Sequence, residues 1–204
     1  MVRTRRWVNG LSFAGLILVL LLGSIGATCH AQKGTPCLKY AYPKGQSPGS
    51  DLQFDITFDR LNVHGASFSC GPAMAASKAR DALESFRYGV LYRDEARLNE
   101  VLQYPLTVRI FKTLRVEKPK VVIIHNAKEW LALQKDGMTK VQIETIACSW
   151  LGNVTVTAGY SSPGFYIGGG LVWFQRFRGS AKVRVTSLNL MPLTQKMLAD
   201  SCEP

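Results

Sequence analysis

The pattern of apolar and polar positions changes from strand-like to helical in the first half of the chain. Residues 52–58 alternate apolar and polar side chains, which is the period of a half-buried β-strand. Over residues 73–103 the apolar side chains recur every three or four positions and predict a long amphipathic helix. The pair Arg93-Asp94 interrupts this pattern, so we expect a short second helix after it that ends before Pro105.

The second half of the chain predicts mainly strands, with one short helix among them. Apolar alternation or β-branched runs predict strands over 106–111, 120–124, 141–148, 154–160, 165–178 and 182–190. The short helix begins after Asn126 as its N-cap and ends at Gly137. This order predicts an α+β fold, in which one curved antiparallel sheet packs against a long N-terminal helix and two short helices.

Residues 1–31 have the composition of a secretory signal peptide. Three arginines among the first six residues precede an apolar run over 11–22, and small residues then lead to cleavage after Ala27 or Ala31. A membrane anchor is the alternative, but the run is shorter than the roughly 20 apolar residues that a membrane span needs. The sequence therefore predicts an exported protein, periplasmic or secreted.

Removal of this leader divides the remaining chain into two parts. Residues 32–72 are rich in Pro and Gly and predict an arm with one possible strand, and residues 73–204 contain the predicted α+β domain with a C-terminal tail. The formal net charge falls from +11 to +8, so the mature protein stays basic. Lipidation at Cys29 is an alternative to cleavage of the whole leader.

The cysteines predict disulfides rather than a metal site. Cys37, Cys70, Cys148 and Cys202 remain after cleavage, an even number in an oxidising compartment, and predict two disulfides. Three pairings are possible, and proximity in the sequence favours Cys37 with Cys70 and Cys148 with Cys202. The spacings contain no CxxC pair and no neighbouring His pair, so no zinc site is predicted. No other metal and no cofactor is predicted.

Four segments carry a resemblance to a known family. They are Phe86-Arg-Tyr-Gly-Val-Leu-Tyr-Arg-Asp94, Tyr104-Pro-Leu-Thr-Val108, Gly169-Gly-Leu-Val-Trp-Phe174 and Lys182-Val-Arg-Val-Thr-Ser-Leu-Asn189. On these segments the chain resembles the NTF2-like superfamily, the cone-shaped α+β fold of nuclear transport factor 2, ketosteroid isomerase and scytalone dehydratase. The resemblance is to small exported bacterial members, many of which have no assigned activity, and it covers a little over half of the chain.

The resemblance implies a pocket between the helices and the concave face of the sheet. The aromatic side chains of Tyr88, Tyr92, Tyr160 and Trp173 are candidates for lining it, although aromatic residues at these spacings also suit a core. An isomerase-like enzyme needs a base within reach of its substrate, and His125, at the end of a predicted strand, is the candidate. His64, in a predicted loop, ranks below it.

Two further motifs are interpreted as structural. Asp51, Asp55 and Asp59 recur every four residues, but on a strand they would share one polar face at wide spacing, which predicts a solvated edge rather than a metal site. The run Gly168-Gly-Gly170 lacks the Lys-Ser or Lys-Thr of a phosphate-binding loop. It lies inside a predicted strand, where glycine favours a kink or bulge that curves the sheet.

The positive charge is concentrated on two predicted hairpins. One contains Arg176, Arg178, Lys182 and Arg184, and the other spans residues 109–120. For an exported protein these clusters predict an anionic envelope component as partner, not nucleic acid. The alternative explanation is that these charges keep the protein soluble and protect its edge strands from pairing with other chains.

Three functional hypotheses follow from the sequence. The first is a non-enzymatic exported domain that binds a small, apolar ligand or an envelope partner. The second is a ketosteroid-isomerase-like or dehydratase-like enzyme that uses the same pocket. The third is a structural module that forms a homodimer through the open face of its sheet.

Overall fold

A computed structural model describes residues 38–42, 49–61, 68–113, 118–157, 164–176 and 182–202. The helices are α1 (Leu38–Ala41), α2 (Leu52–Leu61), α3 (Ala76–Tyr92), α4 (Glu95–Val101), α5 (Ala127–Gly137), α6 (Lys140–Cys148) and α7 (Gln195–Cys202). The strands are β1 (Leu102–Ile110), β2 (Lys120–Ile124), β3 (Thr155–Thr157), β4 (Gly164–Ile167), β5 (Val172–Arg176) and β6 (Val183–Leu190). The predicted α+β class is therefore confirmed.

The predicted helix break at Arg93-Asp94 is confirmed, and its geometry explains it. Arg93 adopts the left-handed conformation, with φ of 54°, and its backbone N–H bonds to the carbonyl of Gly89. Asp94 then caps α4, because its side chain accepts a hydrogen bond from the backbone N–H of Arg97 at 3.1 Å. The chain thus ends one helix and starts the next within two residues.

The described strands form one sheet in the order β2-β1-β6-β5-β4-β3. Neighbours run antiparallel except for β1 and β6, which are parallel, with Val108 beside Leu188. The prediction of a wholly antiparallel sheet is therefore wrong at its centre. The reason is topological: β6 pairs with the edge of β1 that the β1–β2 hairpin leaves open, and it reaches that edge after two helices and three strands.

One face of the sheet forms the core with α3. On this inner face the rings of Phe165 and Phe174 stack at 4.6 Å, and Phe86 of α3 meets Phe174 edge-on at 5.7 Å between ring centroids. The opposite, outer face is largely polar in the middle of the sheet, where Thr107 pairs with Ser187. The alternation along each strand thus separates a buried layer from an outer one.

The strand predicted over residues 52–58 is wrong, because this segment lies in helix α2. In a helix, residues four apart share a face, and the rings of Phe54 and Phe58 accordingly stack at 5.8 Å. Phe58 then packs against Phe68, and Phe68 against Phe165 of the core. The described part of the predicted arm therefore packs against the domain.

The strand predicted over residues 141–148 is also wrong, because this segment forms helix α6. A capping box starts the helix: Thr139 Oγ1 accepts from the backbone N–H of Gln142, and Gln142 Oε1 accepts from the backbone N–H of Thr139. Gln142, Thr145 and Ile146 are buried, which is the spacing of a helical face. The predicted C-terminal tail likewise contains a helix, α7.

The kink predicted at Gly168-Gly-Gly170 is wrong, because the glycines form a tight turn between β4 and β5. Their φ angles of 59°, 63° and 99° lie in the left-handed region, which glycine adopts without steric cost. The single strand predicted over 165–178 is therefore a hairpin. In the described part of the chain no helix is long and apolar enough to cross a bilayer. The predicted leader, including Cys29, lies outside the described residues.

Candidate functional site

A cleft of about 500 Å³ lies where the ends of three helices meet. Arg93 directly follows α3, the next lining residues belong to the last turns of α5 and the link after it, and the rest belong to the first turns of α6. The lining consists of Arg93, Gln134, Lys135, Met138, Lys140, Ile143 and Glu144. Local chain geometry thus builds the site, since each contributing segment is a helix terminus or its neighbour.

Helix termini also explain why these side chains are held where they are. The left-handed conformation of Arg93 turns the chain away from α3, and its Nη2 donates to the carbonyl of Leu131 on α5 at 3.4 Å. The capping box at Thr139 sets the start of α6. Gln142 fixes that helix to the end of the sheet, because its Nε2 donates to the carbonyl of Met191 at 2.8 Å.

Gln134 is the buried residue of the lining and is only 6% exposed. Its Nε2 donates to the carbonyl of Val90 at 2.8 Å, which satisfies an acceptor in the last turn of α3. Its Oε1 is buried and has no hydrogen-bond partner among the described residues. Gln134 therefore brings to the cleft lining a buried acceptor that no described residue satisfies.

The charges around the cleft are unbalanced. Arg93, Lys135 and Lys140 supply three positive charges, and Glu144 supplies one negative charge. Lys140 Nζ lies 3.4 Å from Glu144 Oε1, but both side chains are well exposed, so this pair contributes little to stability. Lys135 forms no ion pair within the described part of the chain. The cleft thus carries a net positive charge with an apolar side at Met138 and Ile143.

The layer between α3 and the sheet is filled by aromatic rings. Trp130 of α5 meets Phe86 at 5.6 Å between ring centroids, beside the Phe165 and Phe174 stack. Trp130 Nε1 and Tyr104 Oη are buried without a hydrogen-bond partner among the described residues. Burial raises the pKa of Tyr104 to about 12, and the nearby carboxylates Glu95 and Glu129 add to the increase.

A second, smaller cavity of about 260 Å³ lies against α7. Its lining comes from the turn before β3, from β3 and β4, from the glycine turn and from α7: Asn153, Thr155, Tyr166, Gly168, Gly169, Met197, Asp200 and Ser201. Both polar atoms of the Asn153 side chain already have hydrogen-bond partners. Its Nδ2 donates to the carbonyl of Ser201, and its Oδ1 accepts from the backbone N–H of Trp150. The Asn153 amide is therefore not available to a ligand, and the cavity has about half the volume of the first cleft.

No protein-family model, curated protein or solved structure matches this chain.

The candidate base His125 lies outside the cleft. Its side chain is exposed at the start of α5, whereas the cleft adjoins the other end of that helix. Its backbone N–H donates to Glu129 Oε2 at 2.8 Å, and Asn126 accepts from the backbone N–H of Glu129 at 3.0 Å. The segment around His125 thus caps a helix. His64 lies outside the described residues.

The candidate aromatic residues lie on different surfaces. Tyr88 and Tyr92 are exposed on α3, with their rings stacked at 5.6 Å and the guanidinium of Arg97 5.3 Å from the Tyr88 ring. Trp173 lies on the outer face of the sheet beside Tyr166, at 4.8 Å between ring centroids. Tyr160 lies outside the described residues. The described candidates are therefore not brought together around one cavity.

The aspartates of α2 are not a solvated edge, contrary to the prediction. Asp55 is fully buried and Asp59 nearly so. Asp55 accepts hydrogen bonds from Tyr42 and from Ser77, and Asp59 accepts them from Ser69. They connect α2 to the next segments of the chain. Within the described ranges no group of three or more His, Cys, Asp or Glu residues is arranged to bind a metal ion.

The predicted disulfide between Cys148 and Cys202 is confirmed, with 5.0 Å between the Cα atoms. It connects the last residue of α6 to the last residue of α7. Cys70 is also disulfide-bonded. Cys37 lies outside the described residues, so its pairing with Cys70 stays a prediction.

Two arginines of the predicted basic hairpin form hydrogen bonds within the protein. Arg176 Nη1 donates to the carbonyl of Ala41 at 2.9 Å, and burial lowers the pKa of its guanidinium. Arg184 Nη1 donates to Gln103 Oε1 at 3.1 Å. Lys182 is exposed, and Arg178 lies outside the described residues.

Sequence reasoning missed the residues of the cleft. The signal for part of it was present, since Thr139-x-x-Gln142 has the spacing of a capping box and predicts a helix start. The predicted strand over residues 141–148 does not contain the helix start at Lys140, whereas the structure has both Lys140 and Glu144 on α6. Gln134 gave no signal, because only packing decides that an amide on α5 is buried.

Proposed function

We propose that this protein is an exported, non-enzymatic domain of the NTF2-like class that binds a small ligand in the cleft between α3, α5 and α6. The observation that carries the proposal is the cleft itself, whose volume of about 500 Å³ falls in the range of roughly 300–1,000 Å³ typical of ligand sites. Export rests on the signal-peptide composition of residues 1–31, and the class rests on the sequence resemblance.

Binding is favoured over catalysis by the positions of the candidate groups. An isomerase-like mechanism needs a base inside a pocket that also encloses its substrate. The layer where the resemblance implies such a pocket is filled by Phe86, Trp130, Phe165 and Phe174, and the His125 side chain is exposed at another point. The cleft, by contrast, is lined by cationic side chains, an amide and apolar side chains. These groups suit the binding of a ligand more than the abstraction of a proton from it.

Native mass spectrometry of the mature protein, purified from its exporting host, tests small-ligand binding. We expect a retained molecule that denaturation releases. Met138→Trp, which fills the cleft, should abolish this retention without unfolding the protein. Met197→Trp, the same substitution in the second cavity, is the matched control and should leave retention unchanged. Equal retention by both variants would contradict the proposed site, and a mature mass that includes residues 1–31 would contradict processed export.

A sheet-face homodimer is the second candidate function, and one observation favours it. Val121 and Ile123 of β2 are 55% and 43% exposed on the outer face of the sheet, where β-branched residues usually pack. Size-exclusion chromatography with light scattering tests it. If the face dimerises, Val121→Glu with Ile123→Glu gives a monomer and Lys128→Glu, on an exposed position of α5, does not. A monomeric unsubstituted protein at micromolar concentration would exclude this role.

A further inference from the structure

We infer that the ligand of the cleft is a small anion, with a carboxylate or phosphate group bound by Arg93, Lys135 and Lys140. This inference rests on the proposed function and specifies its ligand class. It replaces the apolar ligand predicted from the sequence with a charged one.

The first argument is the charge of the lining. Three cationic side chains and one carboxylate border the same cleft, so an anion entering it meets a net positive field. Glu144 neutralises part of this field, but its ion pair with Lys140 is exposed and easily exchanged for a ligand contact. Lys135 has no anionic partner in the described part of the chain, and a ligand anion would supply one.

The second argument is the position of Arg93. Its Nη2 donates to the carbonyl of Leu131, which holds the guanidinium between α3 and α5 and leaves other N–H groups of its planar fork available. Carboxylate and phosphate oxygens match this fork in a bidentate geometry.

The third argument is the unsatisfied acceptor of Gln134, a residue of the cleft lining. A buried acceptor without a partner is destabilising, and a ligand donor that reaches it removes this cost. Gln134 Oε1 is such an acceptor, and its Nε2 cannot turn away without releasing the carbonyl of Val90. A ligand that carries an O–H or N–H group next to its anion would satisfy Oε1 once neighbouring side chains move aside to admit it, while the amide stays bonded to Val90. Hydroxy acids, amino acids and phosphate esters of polyols have this chemistry.

Isothermal titration calorimetry with the mature protein tests the ligand class. The probes are glycerol 3-phosphate, 3-hydroxybutyrate and neutral glycerol. We expect the two anions to bind with an affinity that falls as salt rises, and glycerol not to bind. Arg93→Ala and Lys135→Ala should each weaken binding by about tenfold, the loss of one charged hydrogen bond. Glu144→Gln should strengthen binding by about two- to fivefold, because it removes the opposing charge.

Lys128→Ala is the matched control, because Lys128 is an exposed lysine at the other end of α5. It should leave the affinity unchanged. Vesicles of phosphatidylglycerol, against vesicles of phosphatidylcholine, distinguish a lipid headgroup from a free anion as the source. Anion-dependent binding in either arm that Lys135→Ala weakens by about tenfold supports the inference.

Two negative results separate this inference from the proposed function. If Met138→Trp abolishes retention of a native ligand but that ligand is neutral, the anion inference is wrong and the binding function stands. If Lys128→Ala weakens anion binding as much as Lys135→Ala, the effect is general surface charge and the inference is likewise wrong. If neither a native ligand nor any probe binds, the proposed function fails with it.

Discussion

The carboxylate of Asp55 on α2 accepts a hydrogen bond from the backbone N–H of Ser77 on α3, with 2.6 Å between the oxygen and the nitrogen. The N-cap of α3, Ala75, has no side chain that can accept such a bond. The N-terminus of α3, the longest described helix, is therefore capped by Asp55, which precedes Ser77 by 22 residues. This contact connects the predicted arm to the domain and makes Asp55 a structural rather than a ligand-binding carboxylate.

Replacing Asp55 with Ala should destabilise the protein by about 3 kcal/mol, because the buried N–H and hydroxyl of Ser77 and the hydroxyl of Tyr42 lose their acceptor. Urea denaturation followed by circular dichroism measures the change. Asp51→Ala is the control from the same segment: Asp51 pairs with Lys78 and Arg80 near the surface, so its loss should cost less than about 1 kcal/mol. Equal losses in the two variants would contradict this account of Asp55.

Removing the Cys148–Cys202 disulfide should release α7. The two cysteines are 54 residues apart, and loop-closure entropy for a loop of that length predicts a loss of about 4 kcal/mol. Helix α7 has no buried residue of its own, so the disulfide provides much of its attachment. The double variant Cys148→Ser with Cys202→Ser should therefore be cleaved faster by protease within α7 and unfold at lower urea.

Ser201→Ala is the control for this prediction, since the Ser201 hydroxyl donates within α7 to the carbonyl of Met197. It should change neither urea stability by more than about 0.5 kcal/mol nor the protease pattern. Unchanged cleavage of α7 in the disulfide-free variant would show that other contacts hold this helix.

Tyr104 should make the protein less stable above pH 10. Its hydroxyl is buried without a partner among the described residues, and burial raises its pKa from 10.0 to about 12. The unfolded chain then loses this proton near pH 10 while the folded chain keeps it to about pH 12, so the free energy of unfolding falls as the pH rises between these values. Tyr104→Phe should reduce this fall.

At pH 7 the same variant should be as stable as the unsubstituted protein, or more stable by up to about 1 kcal/mol, because it removes an unsatisfied buried hydroxyl. Urea unfolding at pH 7, 9 and 11 measures both effects. Tyr88→Phe, on an exposed ring, controls for the loss of a tyrosine. A pH dependence that is identical in Tyr104→Phe and the unsubstituted protein would refute the assignment.

Gly89→Ala should destabilise the protein by about 1 kcal/mol, although alanine favours a helix by about that amount over glycine. A Cβ atom at Gly89 would lie 2.9 Å from Cγ and Cδ2 of Leu98, which is fully buried on α4, and such overpacking costs about 1–3 kcal/mol. A double-mutant cycle with Leu98→Ala gives the test. The two substitutions should couple favourably by about 1 kcal/mol, whereas additive effects would place the strain elsewhere.

The amphipathic pattern of residues 73–103 was sufficient to predict α3 and α4, because a long helical stripe with a break at Arg93-Asp94 has few other solutions. The pattern of residues 52–58 was not sufficient to predict α2, since a seven-residue alternation suits a strand as well as the start of a helix. The four-residue spacing of Phe54 with Phe58 and of Asp55 with Asp59 was the signal for a helix. The same spacing of aspartates also suits a polar strand edge, and only their burial in the structure distinguishes the two.

The sequence by itself determined the α+β class, the long helix and its break, the Asn126 cap of α5 and the favoured pairing of Cys148 with Cys202. These features depend on local periodicity, capping chemistry and short separations in the chain. Only the tertiary structure decided the parallel pairing of β1 with β6, the burial of Asp55 and the cleft at Gln134. Each of these depends on which distant segments meet, and local patterns do not specify that.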